Sequence, residues 1–362
     1  MPFGRFDEEV RDDLRTARQQ IIPTLIATAR HHALAHILVA GDMFDQETPS
    51  LRLIRQTLSA MAEAPELTWW IIPGNHDSLK ADMIWQVFAD HAAENIRVQT
   101  KHRAVEMADG VWLLPAPCTA RSPGYDLTEF MADQPTPDGA FRIGLAHGAV
   151  VDFRPDEPSA ETIPPTRADT ARLDYLALGD WHGALQVSAN TWYSGAPEHD
   201  RFKHSGRGVG LIVTLPHPGG TPQVEKTVLG RNSWHALDLN LTPGMDPITA
   251  LGDLLPGPDA PRRNTLLRLR LAGHLHLQDR MTLQSELERI APEYCHFEWN
   301  DRDLRTEYKP GDLNEIAHGG ALRIAAESLK AEVDDPDLTR DDRDIAEAAL
   351  CRLYGLAKAH AK

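Results

Sequence analysis

Four short loops carry the side chains in this sequence that are best suited to chemistry. Each loop follows an apolar run and places Asp, Asn or His beside Gly. The loops are Gly41-Asp42-Met43-Phe44-Asp45, Gly74-Asn75-His76-Asp77, Ala146-His147-Gly148 and Gly179-Asp180-Trp181-His182-Gly183. Carboxylate, carboxamide and imidazole groups form a mixed oxygen and nitrogen set, which suits manganese, iron or zinc better than magnesium alone. The loops therefore predict a divalent-metal site.

The chemistry that such a set supports is hydrolysis with two metal ions. Two cations about 3.5–4 Å apart share a carboxylate and clamp the oxygens of a phosphate ester during in-line displacement. Asp42 is the natural bridge, because a carboxylate has two oxygens and a negative charge that can hold both ions. Asn75 offers a neutral oxygen, while His147 and His182 offer imidazole nitrogens. These four residues are the candidate metal ligands.

The other polar residues of the loops have different candidate roles. His76 follows Asn75 directly and cannot easily face the same ion, so it is placed to protonate or stabilise the leaving oxygen. Asp77 would orient His76 and is the second candidate catalytic residue. Asp180 is either a further metal ligand or a neighbour that orients one, and Asp45 is expected to support its loop.

The pattern between the loops predicts the elements that position them. A helix is predicted from Asp7 to Ala29 with a break near Pro23, and the apolar run Ile37–Ala40 predicts a strand covered on both faces. Helix and strand continue to alternate, and a mostly β half follows, with hairpins at Asp109-Gly110 and Gly219-Gly220. The fold class is therefore α/β, with two packed mixed sheets covered by helices. In such sheets, ligands bind beyond the carboxyl ends of the strands.

Composition suggests the domain boundaries. The stretch Pro243–Pro261 is rich in proline and glycine, which is typical of a linker. It marks the passage from a core at residues 1–235 to a small β-α-β domain at residues 236–310. Residues 311–362 are predicted to form a helical C-terminal segment.

Charge and cysteine content exclude several classes of protein. The chain has 37 Lys and Arg against 53 Asp and Glu, a net charge of −16, which excludes a generally basic nucleic-acid coat. The 3 cysteines form no Cys-x-x-Cys pair, so neither a disulfide framework nor a zinc knuckle is expected. The charged first residues and the lack of a long apolar run predict a cytoplasmic protein without a membrane span.

One short basic island stands out in this acidic chain. It comprises Arg201, Lys203, His204 and Arg207. Arg201 and Arg207 are the candidate substrate-binding residues, because a phosphodiester backbone is held by such cations. The alternative is an ordinary solvated loop.

Taken in order, the motifs resemble the calcineurin-like metallophosphoesterase superfamily. The resemblance rests on Gly41-Asp42-x-x-Asp45, Gly74-Asn75-His76-Asp77, the strand-terminal His147 and the loop that ends at His182. Together with the Tyr193–Pro197 segment and the β-α-β domain, they are most similar to bacterial SbcD-type DNA repair exonucleases.

This resemblance implies a four-layer αββα sandwich with a capping domain and C-terminal helices. It implies two divalent metal ions, with manganese expected, held by Asp42, Asn75, His147 and His182, and it makes His76 the catalytic histidine. The implied activity is hydrolysis of DNA phosphodiester bonds from 3′ ends. The implied partners are DNA and an SbcC-type coiled-coil ATPase, and a homodimer is left open.

Two features depart from the family pattern. The family opens with a strand that ends in Asp-x-His, and no such motif precedes Asp42. Either the chain starts late, or one metal site lacks its ligands. The late start is favoured, because loss of a central strand would expose unpaired sheet edges. Asp180 stands where the family has histidine, although aspartate can still bind a hard cation. The later segment Gly273-His274-Leu275-His276 matches the family's Gly-His-x-His motif more closely than the loop that ends at His182. It lies beyond the linker, however, so His182 is preferred as the metal ligand.

Three functions stay open from the sequence. The leading one is a metal-dependent DNA repair exonuclease. The second keeps the chemistry but takes a small phosphodiester or a pyrophosphate-linked lipid precursor as substrate, which the net acidity favours. The third is a non-catalytic subunit with a degraded first metal site.

Overall fold

The computed structural model describes residues 3–150, 161–257, 261–309, 312, 316 and 320–360. The chain folds as two compact units, Met1–Asn232 and Ser233–Lys362. The first unit contains the loops to which the sequence analysis assigns chemistry. The domain limits predicted at residues 236 and 311 stay predictions.

The first unit begins with helices that alternate with strands. Its first elements are α1 (Glu8–Gln19), α2 (Ile21–His31), β1 (His36–Ala40), α3 (Leu51–Ala62), β2 (Thr68–Ile72), α4 (Asp82–His91) and β3 (Ile96–Val98). The predicted break near Pro23 is displaced, because α1 ends at Gln19 and Pro23 lies in the first turn of α2. Proline is tolerated there since the first backbone N–H groups of a helix have no partner within it.

The strands β1, β2 and β3 form a sheet in that order, and both neighbouring pairs are parallel. The sequence analysis predicted two mixed sheets, but this one is parallel in the described residues because α3 and α4 cross over between successive strands. The helices bury one face of the sheet with large apolar side chains, among them Ile54, Trp69 and Phe88. This packing fixes the strand ends at which the Asp42 and Asn75 loops begin.

A second sheet, which is mixed, packs face to face with the first. Its strands are β4 (Val105–Ala108), β5 (Val111–Ala116), β6 (Phe141–His147), β7 (Tyr175–Gly179), β8 (Leu185–Ser188) and β9 (Thr191–Tyr193), in the spatial order β4-β5-β6-β7-β9-β8. β4 and β5 form the hairpin predicted at Asp109-Gly110. Trp70 and Ile72 of the first sheet meet Leu113 and Leu145 of the second in a core between the sheets.

Short helices cover the outer face of the second sheet. They are a 3-10 helix at Glu129–Ala132 and α5 (Arg167–Thr170), and their Met131 and Ala168 side chains pack into the core beneath them. The layers therefore run helix, sheet, sheet, helix. This order confirms the predicted α/β sandwich.

A third sheet has the strand order β10-β11-β12-β13, and its elements follow in chain order. β10 (Gly206–Thr214) and β11 (Gln223–Leu241) are the strands of the hairpin predicted around Gly219-Gly220. The later part of β11 pairs in parallel with β12 (Thr265–His276), which pairs in parallel with β13 (His296–Glu307).

Helices cover the sheet of the second unit and end the chain. α6 (Pro247–Leu254) and α7 (Leu277–Ile290) bury a leucine-rich core against it. α8 (Ala321–Asp334) packs with α9 (Arg340–His360), which is held to α7 by a 2.9 Å ion pair between the partly buried Arg280 and the buried Glu347. Neither these helices nor any other in the described residues is long and apolar enough to cross a bilayer.

Candidate metal centre

The carboxyl ends of four strands bring the predicted loops to one edge of the sandwich. β1 ends at Ala40, β2 at Ile72, β6 at His147 and β7 at Gly179. His147 and Gly179 are partners in the β6–β7 ladder. A Cβ atom on Gly179 would stand 1.8 Å from the Ala40 carbonyl oxygen, so the two sheets approach closely enough here to require glycine.

The Gly41–Asp42 turn is strained, and its conformation directs the Asp42 carboxylate. Both residues have a positive φ, +81° and +53°, which aspartate adopts only with support from its surroundings. Oδ1 of Asp42 accepts the His76 backbone N–H at 2.8 Å, and its Oδ2 lies 3.5 Å from Nε2 of His147. Gly74 permits this approach, since a Cβ there would lie 2.2 Å from Oδ1 of Asp42.

His147 presents one ring nitrogen to two carboxylates. Its Nδ1 lies 2.7 Å from the Ala40 carbonyl oxygen, so we assign the ring hydrogen to Nδ1 and a lone pair to Nε2. That lone pair faces Oδ2 of Asp42 at 3.5 Å and Oδ1 of Asp180 at 3.9 Å, and the His147 side chain is 1% exposed. Three acceptors that face one another in a partly buried site repel unless a cation or a second proton lies among them.

Asn75 and Asp180 complete the group. Asp180 has a positive φ of +97°, and its Oδ1 accepts a long hydrogen bond of 3.4 Å from the Asn75 side-chain amide. The side-chain oxygen of Asn75 is buried without a hydrogen-bond partner in the described residues. Such an oxygen near the Asp180 carboxylate is suited to a cation. We call Asp42, Asn75, His147 and Asp180 the Asp42 cluster.

The Asp42 cluster fits a divalent cation by its donors and by its spacing. Two ligands on a cation such as zinc, each about 2.1 Å from it, stand about 3.0–3.4 Å apart, and the Asp42–His147 distance is 3.5 Å. Across the described ranges, no three His, Cys, Asp or Glu side chains already stand at the spacing of a complete metal site. The fit therefore rests on this pairwise distance and on two unpartnered atoms, Nε2 of His147 and Oδ1 of Asn75.

His182 lies in a different set of contacts. Its Nδ1 is 3.4 Å from Oδ1 of Asp200, and its ring is nearly parallel to that of His204, with centroids 6.4 Å apart. Its backbone carbonyl accepts the Ala196 N–H at 2.8 Å, which joins its loop to the Tyr193–Pro197 segment. None of these contacts reaches the Asp42 cluster, so the role of His182 as a metal ligand stays a prediction.

Sequence reasoning missed Asp200 and His199, which lie next to His182 and His204. The His199 ring is buried, 5.8 Å from the His204 ring. Burial and the neighbouring histidines lower the pKa of His204 to about 4, so this ring is neutral at pH near 7. The sequence signal for these residues is their position shortly after the Tyr193–Pro197 segment, which belongs to the family pattern.

Asp77 holds the backbone of the site and does not contact the His76 ring in the described residues. Its buried carboxylate accepts backbone N–H groups from Gly74 at 2.7 Å and from Asp42 and Phe44 at 3.2 Å each. Burial raises the pKa of this carboxyl, and its hydrogen bonds to backbone amides oppose the shift. These contacts give Asp77 a positioning role, in which it holds the Asp42 turn against the Gly74 turn, and its predicted role in orienting the His76 ring stays a prediction.

The two arginines predicted to bind substrate are engaged with the protein itself. Arg201 donates two hydrogen bonds of 2.8 Å to the Asp200 carboxylate. Arg207 donates its Nε–H to the Gly230 carbonyl oxygen at 2.7 Å. Half of the Arg201 side chain is exposed, and contact of either arginine with substrate stays a prediction.

Two other motifs lie where the sequence analysis placed them. Asp45 is paired with Arg18 of α1, a contact that suits a loop-supporting residue. The Gly273–His276 motif ends β12 in the second unit. There Nδ1 of His276 lies 3.9 Å from the Glu307 carboxylate.

Comparison with known proteins assigns a family to most of the first unit. Residues 10–214 match the calcineurin-like phosphoesterases. This chain belongs to that family. The match spans β1 to β10 and includes every loop that carries a predicted metal ligand. By family the protein is a hydrolase of phosphate esters, and such phosphoesterases use divalent metal ions.

Two further similarities are more distant. Over 226 residues this phosphoesterase is 24% identical to the DNA double-strand break repair protein Mre11 of Methanosarcina acetivorans, in an alignment that covers 60% of this chain and 35% of the relative. The chain thus matches little more than a third of that protein. One solved structure aligns over 57% of this chain and 93% of its own length, at 16% identity and a TM-score of 0.35.

Asp77→Asn tests the positioning role of Asp77 in this phosphoesterase. Asparagine keeps one acceptor oxygen but turns an NH2 group toward backbone N–H donors, which leaves buried groups unpartnered. We expect the free energy of unfolding, measured by urea denaturation, to fall by about 1–3 kcal/mol. Asp109→Asn in the exposed β4–β5 turn is the matched control and should change it by less than about 0.5 kcal/mol. An unchanged unfolding midpoint for Asp77→Asn would contradict the assignment.

The Asp200 carboxyl makes folding of the phosphoesterase sensitive to acid. Burial by itself would raise its pKa, but the Arg201 and His182 side chains hold the pKa well below its usual range. The unfolded state then binds the proton more tightly, so this carboxylate stabilises the fold above the ordinary Asp pKa of about 4 and loses that effect in stronger acid. The difference in free energy of unfolding between wild type and Asp200→Asn should shrink as pH falls from about 6 to about 3. A difference that grows in acid would contradict this account.

Proposed function

We propose that this phosphoesterase is a metal-dependent DNA repair exonuclease of the SbcD type, which uses two divalent cations, manganese by expectation. The observation that carries the proposal is the geometry of His147. Its Nε2 lone pair faces carboxylate oxygens of Asp42 and Asp180 at 3.5 and 3.9 Å, an arrangement that a cation stabilises. Metal-binding histidines also donate the other ring N–H to a carbonyl or carboxylate, as His147 does to Ala40.

The Asp42 cluster would hold the cations, with His182 as a further proposed ligand. When bound, the cations would polarise the phosphate oxygens and lower the barrier to attack by water at neutral pH. The residues of this chain hold the donors in place. Asp77 joins the two turns through three backbone amides, and the Ala40 carbonyl sets the tautomer of His147.

His76 is the proposed general acid. Its backbone N–H is bound to Oδ1 of Asp42 at 2.8 Å, which places the residue beside the cluster. Its side chain is only partly buried, so it can reach a substrate bound at the strand ends. Histidine is suited to giving a proton to the leaving oxygen because its charge changes near neutral pH.

DNA is the proposed substrate for two reasons. The relative from Methanosarcina acetivorans is a DNA repair protein by name. In addition, cationic groups border the His182 loop despite a net charge of −16. The Lys203 ammonium lies 4.4 Å from the centre of the Trp181 ring, and half of the Arg201 side chain is exposed. Cations of this kind position a nucleic-acid backbone whatever its sequence. The overall acidity favours a small phosphodiester or a lipid-linked pyrophosphate as the second candidate.

A manganese titration against labelled DNA tests the proposed chemistry. Wild type should release nucleotides only with the metal, and Asp42→Ala should lose both metal binding and turnover. His76→Ala should keep manganese binding, measured by calorimetry, while turnover falls about 10²–10⁴-fold, the usual contribution of a general acid. Asp109→Asn, which lies in the exposed hairpin turn, should match wild type in both measurements. Loss of manganese binding in His76→Ala would show that its role is misassigned.

The same assay distinguishes the candidate substrates. Single-stranded DNA, double-stranded DNA, a chromogenic phosphodiester and a lipid-linked pyrophosphate are compared at one manganese concentration. A DNA exonuclease should release mononucleotides from an end-labelled strand. Turnover of a small substrate without any cleavage of DNA would favour the second candidate.

We also propose that an SbcC-type coiled-coil ATPase binds the C-terminal helices. Four large apolar side chains of α8 and α9 are exposed, namely Leu322 at 52%, Ile324 at 68%, Ile345 at 68% and Leu356 at 53%. The core of this region is filled by other side chains, among them Leu350 and Tyr354. Exposed apolar groups on helices are suited to pack against a partner helix.

Ile324→Glu combined with Ile345→Glu tests this surface. Burying two added charges should weaken binding of the ATPase at least about tenfold, measured by calorimetry. Manganese-dependent turnover of the chromogenic ester should not change. The control is Val228→Glu, since Val228 is an apolar side chain of β11 that is 52% exposed. ATPase binding at wild-type affinity would place the interface elsewhere, and loss of self-association would indicate a homodimer surface instead.

A further inference from the structure

Asp200 lies in the loop between β9 and β10, and its side chain contacts that of His182. Its Oδ1 atom is 3.4 Å from Nδ1 of His182, and the Asp200 side chain is 17% exposed whereas that of His182 is 36% exposed. The carboxylate is thus the deeper of the two groups, and the imidazole is the one open to solvent. At 3.4 Å the contact does not reach hydrogen-bond geometry, but the carboxylate is the acceptor that lies near Nδ1, which favours the tautomer with its hydrogen on Nδ1 and a lone pair on Nε2.

Arg201 fixes the orientation of the Asp200 carboxylate. Its Nε lies 2.8 Å from one carboxylate oxygen and its Nη2 lies 2.8 Å from the other. A two-point contact of this kind sets the plane of the carboxylate as well as its position. The preceding backbone is anchored too, because the buried Glu198 side chain accepts backbone N–H groups from Arg231 at 2.6 Å and Asn232 at 3.1 Å.

His147 has the same arrangement with a different acceptor. Its Nδ1 faces the Ala40 carbonyl at 2.7 Å, and its Nε2 faces the carboxylate of Asp42 at 3.5 Å. In both His147 and His182, therefore, Nδ1 is turned toward an acceptor of the protein itself. For a metal-binding histidine, such a partner fixes both the tautomer and the orientation of the ring.

We propose that Asp200 is a positioning residue, which holds His182 with its hydrogen on Nδ1 and its Nε2 free for a divalent cation. Arg201 has the supporting role of holding Asp200 in place. The inference rests on the proposed metal-dependent function. It gives Arg201 a role in preparing the site, and the predicted contact of Arg201 with substrate stays a prediction.

A purely structural ion pair is the alternative. Asp200 and Arg201 would then stabilise their loop, and nothing they do would pass through His182. Stability measurements alone do not separate these roles, because removal of Asp200 lowers stability in either case. A double-mutant cycle with His182 does separate them.

The double-mutant cycle of Asp200 and His182 compares the manganese affinities of full-length variants, measured by calorimetry. Asp200→Ala, which removes the acceptor, should weaken binding about 10–100-fold, the usual effect of losing the partner of a metal ligand. Asp200→Asn, which keeps a neutral acceptor, should weaken it less. Asp12→Ala is the matched control, since Asp12 is an ion-paired aspartate on the surface of α1, and it should bind like wild type.

The decisive comparison is made in the His182→Ala background. Once His182 is absent, adding Asp200→Ala should weaken manganese binding no further. An equal loss with and without His182 would show that Asp200 acts through the loop and would overturn the inference. Unchanged affinity in Asp200→Ala would overturn it as well.

A second readout needs no metal. Nitrogen resonances of isotope-labelled histidine in the metal-free protein should report the Nδ1–H tautomer for His182, and Asp200→Ala should move it toward the Nε2–H form. His147 should not change, because its Ala40 partner is intact. An Nε2–H tautomer for His182 in the wild type would refute the role of Asp200. If the wild type binds no divalent cation, the proposed function fails, and the tautomer measurement still decides the role of Asp200.

Discussion

The site depends on one electrostatic constraint: the lone pair of a buried imidazole faces two carboxylates that are partly open to solvent. The distances from Nε2 of His147 to Asp42 and Asp180 are 3.5 and 3.9 Å. These acceptors repel one another, so the surrounding structure must hold them together until a positive charge joins them. That requirement accounts for the rigidity of the strand ends on which the three residues lie.

Packing of the two sheets supplies this rigidity. Apolar cores lie on both faces of the first sheet, one beneath the helices and one against the second sheet. They bring the sheets so close that position 179 has no room for a side chain beyond glycine. They also allow positive φ angles at Asp42 and Asp180, which would be unfavourable in a looser loop. Burial of apolar surface far from the site is thus what makes the strained loops tolerable.

Two carboxylates, Asp77 and Asp200, contact the residues that carry the candidate metal ligands. Asp77 gathers backbone amides from the Asp42 and Gly74 turns, while Asp200 is held by Arg201 and faces His182. Each of these carboxylates is placed to orient a group that would contact the cation, without needing to bind the cation itself. Such residues determine how well a metal site is preorganised, and their loss weakens binding through the ligands that they hold.

The sequence by itself determined the order of strands and loops and the hairpin at Asp109-Gly110. It also determined that Asp42 and His147 lie at the same edge of the sandwich. Periodicity, turn chemistry and the rule for parallel strand ends act locally, so they can be seen in the order of residues. Only the tertiary structure decided that Asp77 binds backbone amides and that Arg201 binds Asp200. The first of these choices depends on atoms brought together across more than 30 residues of chain, and the second on the direction in which a side chain turns. A hydrogen-bond partner is selected by distance and direction in space, and the order of residue types carries neither quantity.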